Sequence, residues 1–376
     1  MPGDRHAGAP PFSTQSGPMV PVVPHPARLR PSSGIVSALR IRDQPCHPFP
    51  VNLNRAYANP PMKAFASRTL TLMTISAALA AGLNAQPATQ PGNPPMTTPT
   101  DFPVPRTIPL WEAGAPGALG SRPEDKPFLT VFAPSAKLPT ARTAVIVAPG
   151  GSYTMLANTG EGRMVADWFA SRGISAFVLS YRLIPAGYHH PSQLTDAQRA
   201  VRLVRTRAAE FGVDPQRIGI IGFSAGGHLA TMVGTQGDDG NPAASDPIDR
   251  ASSRISFMVL AYPGALRPEA RQRALLGDHP NPAAADQVYA ERHITAQTPP
   301  TFIYGTTDDE TVAATGLVGF YNLLHAAGVP VEMHLFEHGR HGSGLGQTDP
   351  ALRLWPSLLE NWLDRHGLLR PPATTP

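Results

Sequence analysis

The chain has 376 residues, 41% of them hydrophobic and 15% charged, which is enough apolar material for a sizeable core and excludes a wholly unfolded protein. The net charge is +4, but residues 1–61 carry +4 and 62–85 carry +2, leaving 86–376 at −2 with no Lys- or Arg-rich run, a balance that argues against a nucleic-acid partner. The single cysteine, Cys46, lies near the start, so in the rest of the chain disulfide frameworks, cysteine nucleophiles and thiolate metal sites are excluded.

Residues 1–61 hold 13 of the 44 prolines and show neither helical nor strand periodicity, so they read as unstructured sequence upstream of the native start. From Met62 the pattern changes. Lys63 and Arg68 precede an uncharged run from Thr69 to Leu83, and small residues follow up to Ala85. That run is shorter than the ~20 residues that span a bilayer. It predicts a secretory signal peptide over 62–85, cut after Ala85, with no stable membrane anchor. The mature protein is therefore expected to be secreted or periplasmic, with Met62 as initiator. Residues 86–106 are Pro- and Thr-rich and read as a linker.

From 107 to 370 short β-branched runs alternate with amphipathic stretches. The runs predict strands over 128–133, 143–148, 174–180, 217–221, 255–261, 300–305 and 331–336, several of them apolar on both faces as buried parallel strands are. Helices are expected over 161–172, over the stripe Leu194, Ala197, Val201, Val204, Ala208 and Phe211 ending at Gly212, and over 311–327 and 352–366. Along the second of these, Arg199, Arg202 and Arg205 ride the opposite side. The alternation implies an α/β fold: a mostly parallel, doubly wound sheet of seven or eight strands, helices on both faces, in one domain.

The motif with the most chemistry in it is Gly222-Phe223-Ser224-Ala225-Gly226, between the apolar run Ile218–Ile221 and a helical pattern. G-x-S-x-G in strand-turn-helix context presents a serine hydroxyl above a sheet, at a helix start that favours negative charge. A hydroxyl needs a base, and in this arrangement an acid and then a histidine follow the serine in the chain. His338 and His341 lie in the loop after the last predicted strand, and His341, followed by Gly342, is preferred. Asp308 and Asp309 follow the strand over 300–305. Asp308 is preferred as the residue that orients the histidine, while Asp309 would cap the turn before Thr311. For an oxyanion hole, Ala225 N–H supplies one donor, and Pro149-Gly150-Gly151-Ser152-Tyr153 offers the amides of Gly151 and Ser152. Tyr153 is expected to wall the substrate pocket, with a place in the core as the alternative for an aromatic at this point. His189 and His190 are adjacent, point different ways and lack acidic partners at ligand spacing, so no metal site is expected.

With these residues placed, the chain resembles the α/β-hydrolase superfamily and, within it, bacterial secreted esterases of the acetyl-xylan-esterase, xylanase B-like type. The resemblance covers about 108–366. It rests on I-P-L-W-E-A-G-A-P-G-A (108–118), A-P-G-G-S-Y (148–153), D-A-Q-R-A-V-R-L-V-R (196–205), G-F-S-A-G-G-H-L-A (222–230), L-L-G-D-H-P (275–280), T-P-P-T-F-I-Y-G-T-T-D-D (298–309) and H-G-R-H-G-S-G-L (338–345). It implies a triad of Ser224, Asp308 and His341, an oxyanion loop at Gly151 and Ser152, and no cofactor. The substrate it implies is a small-molecule or polysaccharide ester carrying short acyl groups, above all acetyl. Ser152 and Ser343 stand where the family has a third glycine and a phenylalanine. Neither removes a backbone N–H, and a more polar acyl pocket is expected. A prolyl-oligopeptidase-type peptidase would need a propeller with blades of ~40–50 residues, for which the mature chain has no room. A non-catalytic, carbohydrate-binding relative would ordinarily lack a triad member, and none is missing.

Overall fold

Strand β3 (Ala144–Ala148) shows how this sheet is built: all five residues are buried, and alternate side chains enter two different cores. Ala144, Ile146 and Ala148 face one apolar cluster while Val145 and Val147 face the other. A strand with no polar face can be satisfied only between two helical layers. The computed structural model describes residues 103–264, 269–278 and 280–371, all within a compact unit spanning Pro87–Pro376. The expected leader and signal peptide, and Cys46, lie outside the described residues.

Eight strands make one sheet: β1 (Arg106–Pro109), β2 (Phe128–Phe132), β3, β4 (Ser175–Ser180), β5 (Ile218–Phe223), β6 (Met258–Ala261), β7 (Thr301–Thr306) and β8 (Val331–Phe336). Their order is β1-β2-β4-β3-β5-β6-β7-β8. β1 and β2 pair antiparallel, β2 joins β4 antiparallel, and from β4 to β8 all pairings are parallel. β1 begins at the last residue of the expected linker and is not among the expected strands. Four residues ending in proline carry no readable period, and only pairing with β2 makes them a strand.

The helices are α1 (Met164–Ala170), α2 (Ser192–Thr206), α3 (Ser224–Thr235), α4 (Glu269–Leu276), α5 (Pro282–Gln287), α6 (Ala314–Ala326) and α7 (Trp355–Arg365). Apolar residues of α2, α3 and α6 fill one core, and those of α1 and α7, including Phe169, Trp355 and Trp362, fill the other. Each fully buried large side chain stabilises the fold by roughly 1.5–3 kcal/mol. The first helix is shorter than 161–172, because a wide turn over Asn158–Arg163 precedes it.

The arginines of α2 are not a solvated face. Arg199 is buried, donates to Leu110 O and pairs with Asp246 and Asp249, while Arg202 pairs with Asp238. Arg182, just after β4, is locked to Asp196 of α2 at 2.7 Å with both side chains fully buried. Burial pushes the Asp196 carboxyl up to about 6, with the Arg182 bonds pulling the other way. The fold accepts that desolvation cost and gains a fixed segment beside it: Tyr181 donates to Pro149 O at 2.7 Å, holding the loop after β3.

Topology brings the functional loops together. The chain leaves β3 toward β4 on one side and returns through β5 to β8 on the other, so the sheet's order reverses between β3 and β5. Crevices form at the carboxyl ends of strands at such a point. Ala148 pairs with Gly222, which sets the loop after β3 against the turn after β5. Thr306 pairs with Phe336, so the loops after β7 and β8 also emerge side by side.

Candidate active site

Ser224 sits at the turn between β5 and α3 with φ +49°, a left-handed conformation for a residue with a side chain. Such strain is held only where the surroundings over-determine it. The flanking glycines are required by close approach: a Cβ on Gly222 would lie 2.1 Å from Gly226 O, and one on Gly226 would lie 2.0 Å from Ala148 O. The turn lifts the hydroxyl to the end of the sheet at the first turn of α3.

His341 lies in the loop after β8, and its Nε2 is 2.7 Å from Ser224 Oγ. Its Nδ1 is 2.8 Å from Asp309 Oδ2. The expectation for Asp308 is thereby corrected. Asp308 is half exposed and accepts from His338 Nδ1 at 3.0 Å and from Gly339 N–H at 2.8 Å, whereas the hydrogen-bonded carboxylate of His341 is that of Asp309. The His338 bond holds the Asp308 carboxyl below its usual range and raises His338 in return. Asp309 is almost wholly buried. Its Oδ1 accepts the amides of Thr311 and Val312 at 2.7 and 2.8 Å, leaving Oδ2 for the imidazole. The turn-capping role and the histidine-orienting role belong to the same residue.

The loop carrying His341 is tied at several points. Thr306 Oγ1 donates to Gly339 O, Ser343 Oγ and Tyr304 OH are 3.0 Å apart, and Trp355 Nε1 donates to Gly344 O. Ser343, expected to make the acyl pocket more polar, is bonded to Tyr304.

The loop after β3 takes a run of left-handed residues: Gly151 at φ +125°, Ser152 at +56° and Tyr153 at +62°. Successive amides in such conformations can face one side and form an anion-binding concavity. Among the described residues, the Gly151 and Ser152 amides donate to no protein acceptor. Ala225 N–H lies in the first turn of α3, where amides have no intrahelical partner. Gly150 presses on the serine, since a Cβ there would fall 2.8 Å from Ser224 Cβ.

Tyr153 is part of the apolar core and only 6% exposed, against its expected place on a pocket wall. Its OH is 2.8 Å from His228 Nδ1, and His228 Nε2 is 2.7 Å from Val288 O. A carbonyl accepts only, so Nε2 carries the proton and Tyr153 donates to Nδ1. This bond ties the loop after β3 to α3, one turn past Ser224. His189 faces Ala274 O and His190 faces Gln287. A groove of about 460 Å³ bounded by Arg122, Lys126, Leu156, Asn158 and Pro185 has no atom of Ser224, Asp309 or His341 in its wall.

Burial drives His228 down to about 4 from its ordinary 6.5. Below pH 6.5 the unfolded chain takes up a proton that the folded chain refuses, so this residue's contribution to stability is lost as pH falls from 6.5 toward 4. The expected slope is at most about 1.4 kcal/mol per pH unit. Urea unfolding of the wild type at pH 7.5 and pH 5 should show the loss, and His228→Gln should show a smaller one. Equal losses in both proteins would remove His228 as the cause.

Glu161 and Tyr262, which also border the site, have no sequence motif to mark them. The one available signal is a charged residue between glycines, in T-G-E-G-R, at the entrance to an otherwise apolar helix.

Residues 129–324 match the BD-FAE family model. The chain belongs to the BD-FAE family. The BD-FAE chain is 39% identical to the acetyl ester-xyloside bifunctional hydrolase of Caldicellulosiruptor lactoaceticus, with a TM-score of 0.64, over 70% of this chain and 97% of that one. It is 31% identical to an acetylxylan esterase of Xylanibacter ruminicola over 54% of this chain and 41% of the relative. It is 33% identical to the endo-1,4-beta-xylanase B of Butyrivibrio fibrisolvens over 54% of this chain and 32% of the relative. The chain thus spans less than half the length of these two curated relatives. The α/β-hydrolase fold that the resemblance implied is the fold of the solved relatives.

Proposed function

We propose that this BD-FAE protein is a serine carboxylic ester hydrolase that removes acetyl or other short acyl groups from xylan or its oligosaccharides. The observation that carries the reading is the continuous relay from Ser224 Oγ through His341 to Asp309. The acyl and glycan preference is supported by likeness to the C. lactoaceticus hydrolase and the X. ruminicola esterase.

In this reading His341 Nε2 takes the Ser224 proton as Oγ attacks the ester carbonyl, and Asp309 holds the Nδ1–H tautomer and stabilises the imidazolium. The developing oxyanion is met by the amides of Ala225, Gly151 and Ser152. His341 then returns its proton to the leaving sugar hydroxyl. Water, activated by the same imidazole, releases the acyl group as acid and restores Ser224. No cofactor or metal enters a step. The basic, apolar and small-residue segments of 62–85 support delivery outside the cytoplasm, where plant polysaccharide would be met.

The test is acetate release from acetylated xylan, compared with hydrolysis of long-chain and feruloylated esters. Acetate release is expected to have the highest kcat/KM. Faster turnover of feruloyl or long-chain esters would overturn the acetyl preference, and hydrolysis of no ester would overturn the activity.

A further inference from the structure

Glu161 is a carboxylate only 6% exposed, and among the described residues no Arg or Lys pairs with it. Its Oε2 accepts Gly150 N–H at 2.8 Å, next to the two oxyanion-loop amides. Its Oε1 accepts Tyr262 O–H at 2.8 Å, and the Tyr262 oxygen accepts Gly344 N–H at 2.9 Å, three residues past His341. Tyr262 follows β6 with φ +37°, and its ring stands edge-on to the His341 ring at 5.0 Å. Gly150 is wedged between the two partners, because a Cβ on it would lie 2.7 Å from Glu161 Oε2 as well as against Ser224. A Cβ on Gly342 would lie 4.0 Å from Oε1. One buried anion thus links the loop after β3 to the loop after β8 and lies beside the histidine.

An unpaired buried carboxylate is expensive, and an apolar or amide side chain could fill the same space. We propose that Glu161 is a positioning residue for ester hydrolysis: its carboxylate holds the oxyanion loop and the His341 loop in register, and its charge stabilises the imidazolium formed when His341 accepts the Ser224 proton. This rests on the hydrolase reading above. Only the charged form accepts both donors and opposes the imidazolium charge. Burial raises the Glu161 carboxyl above its ordinary range, while the Tyr262 and Gly150 bonds and nearby His341 draw it back. Tyr262 and His341 face it directly, Tyr181 faces it from the end of β4, and Asp309 stands behind His341.

The experiment is steady-state hydrolysis of p-nitrophenyl acetate by Glu161→Gln, from pH 4.5 to 8, beside the wild type. The expected result is a kcat about 10²-fold lower with KM within about threefold, because the loss falls on the transition state. The wild type's advantage in kcat over Glu161→Gln should shrink toward the acid end of this range, where the Glu161 carboxyl, raised by burial, takes up a proton. A kcat within threefold of wild type at pH 8, or a KM that rises as far as kcat falls, overturns the proposal. Should Glu161→Gln not fold, Tyr262→Phe removes the hydroxyl that joins Glu161 Oε1 to Gly344 N–H, leaves the carboxylate and its Gly150 bond in place, and should lower kcat about tenfold; wild-type kcat there overturns it equally. Ser224→Ala run alongside separates the two ideas. Full activity in Ser224→Ala sinks the hydrolase reading, whereas an inert Ser224→Ala with an undiminished Glu161→Gln sinks only the role of Glu161.

Discussion

Ser224→Ala is expected to lower kcat on p-nitrophenyl acetate by about 10⁶-fold while leaving the fold intact. The size follows from what is removed: without Oγ there is no acyl-enzyme, and the imidazole has no hydroxyl to deprotonate. Some acceleration over water should survive, because the backbone amides of Ala225, Gly151 and Ser152 do not depend on that side chain. The variant should fold because alanine at φ +49° bears no more strain than serine, and the turn's close contacts are made by Gly222 and Gly226. A fluorophosphonate probe should label the wild type and leave Ser224→Ala unlabelled. Labelling of the variant would place the nucleophile elsewhere.

Asp309→Asn should lower kcat by about 10⁴-fold, and Asp308→Asn by less than about fivefold. The two residues are adjacent, yet their environments differ in kind. Asp309 is buried with one oxygen on two backbone amides and the other on His341 Nδ1. Asparagine can keep an oxygen on the Thr311 and Val312 amides, which then turns its NH₂ toward the imidazole. His341 must accept at Nδ1 and carry its proton on Nε2, the tautomer that cannot deprotonate Ser224. Asp308 touches only His338 and Gly339 at the surface, and an amide there keeps an acceptor for the Gly339 N–H. Stopped-assay kcat values for the two variants, with matching thermal melts, check this contrast. Equal losses, or a larger loss in Asp308→Asn, would contradict the arrangement of the site.

The place of Tyr153 also has a physical reason. Tyr153 follows a glycine loop, where an aromatic residue can turn either to substrate or to core. The buried acceptor His228 Nδ1 decides for the core, and that acceptor lies 75 residues away. Arg199, Arg202 and Arg205 ride the side of α2 opposite its apolar stripe, and the loop over 238–254 brings aspartates and carbonyls to them.

The sequence by itself determined the elements whose cause is local. Two-sided apolar runs require a covered parallel sheet, and G-F-S-A-G between strand and helix requires a serine at a tight turn, because only glycines admit the backbone that closely. His341 was legible for a similar reason, in a glycine-rich loop after the last strand. The tertiary structure decided what depends on direction in space: which of two neighbouring aspartates faces inward, where Tyr153 turns, and that Glu161 bridges two loops 190 residues apart. Adjacent residues share composition and spacing, so one-dimensional order cannot separate them. Their difference is set by which groups the packed sheet brings within 3 Å.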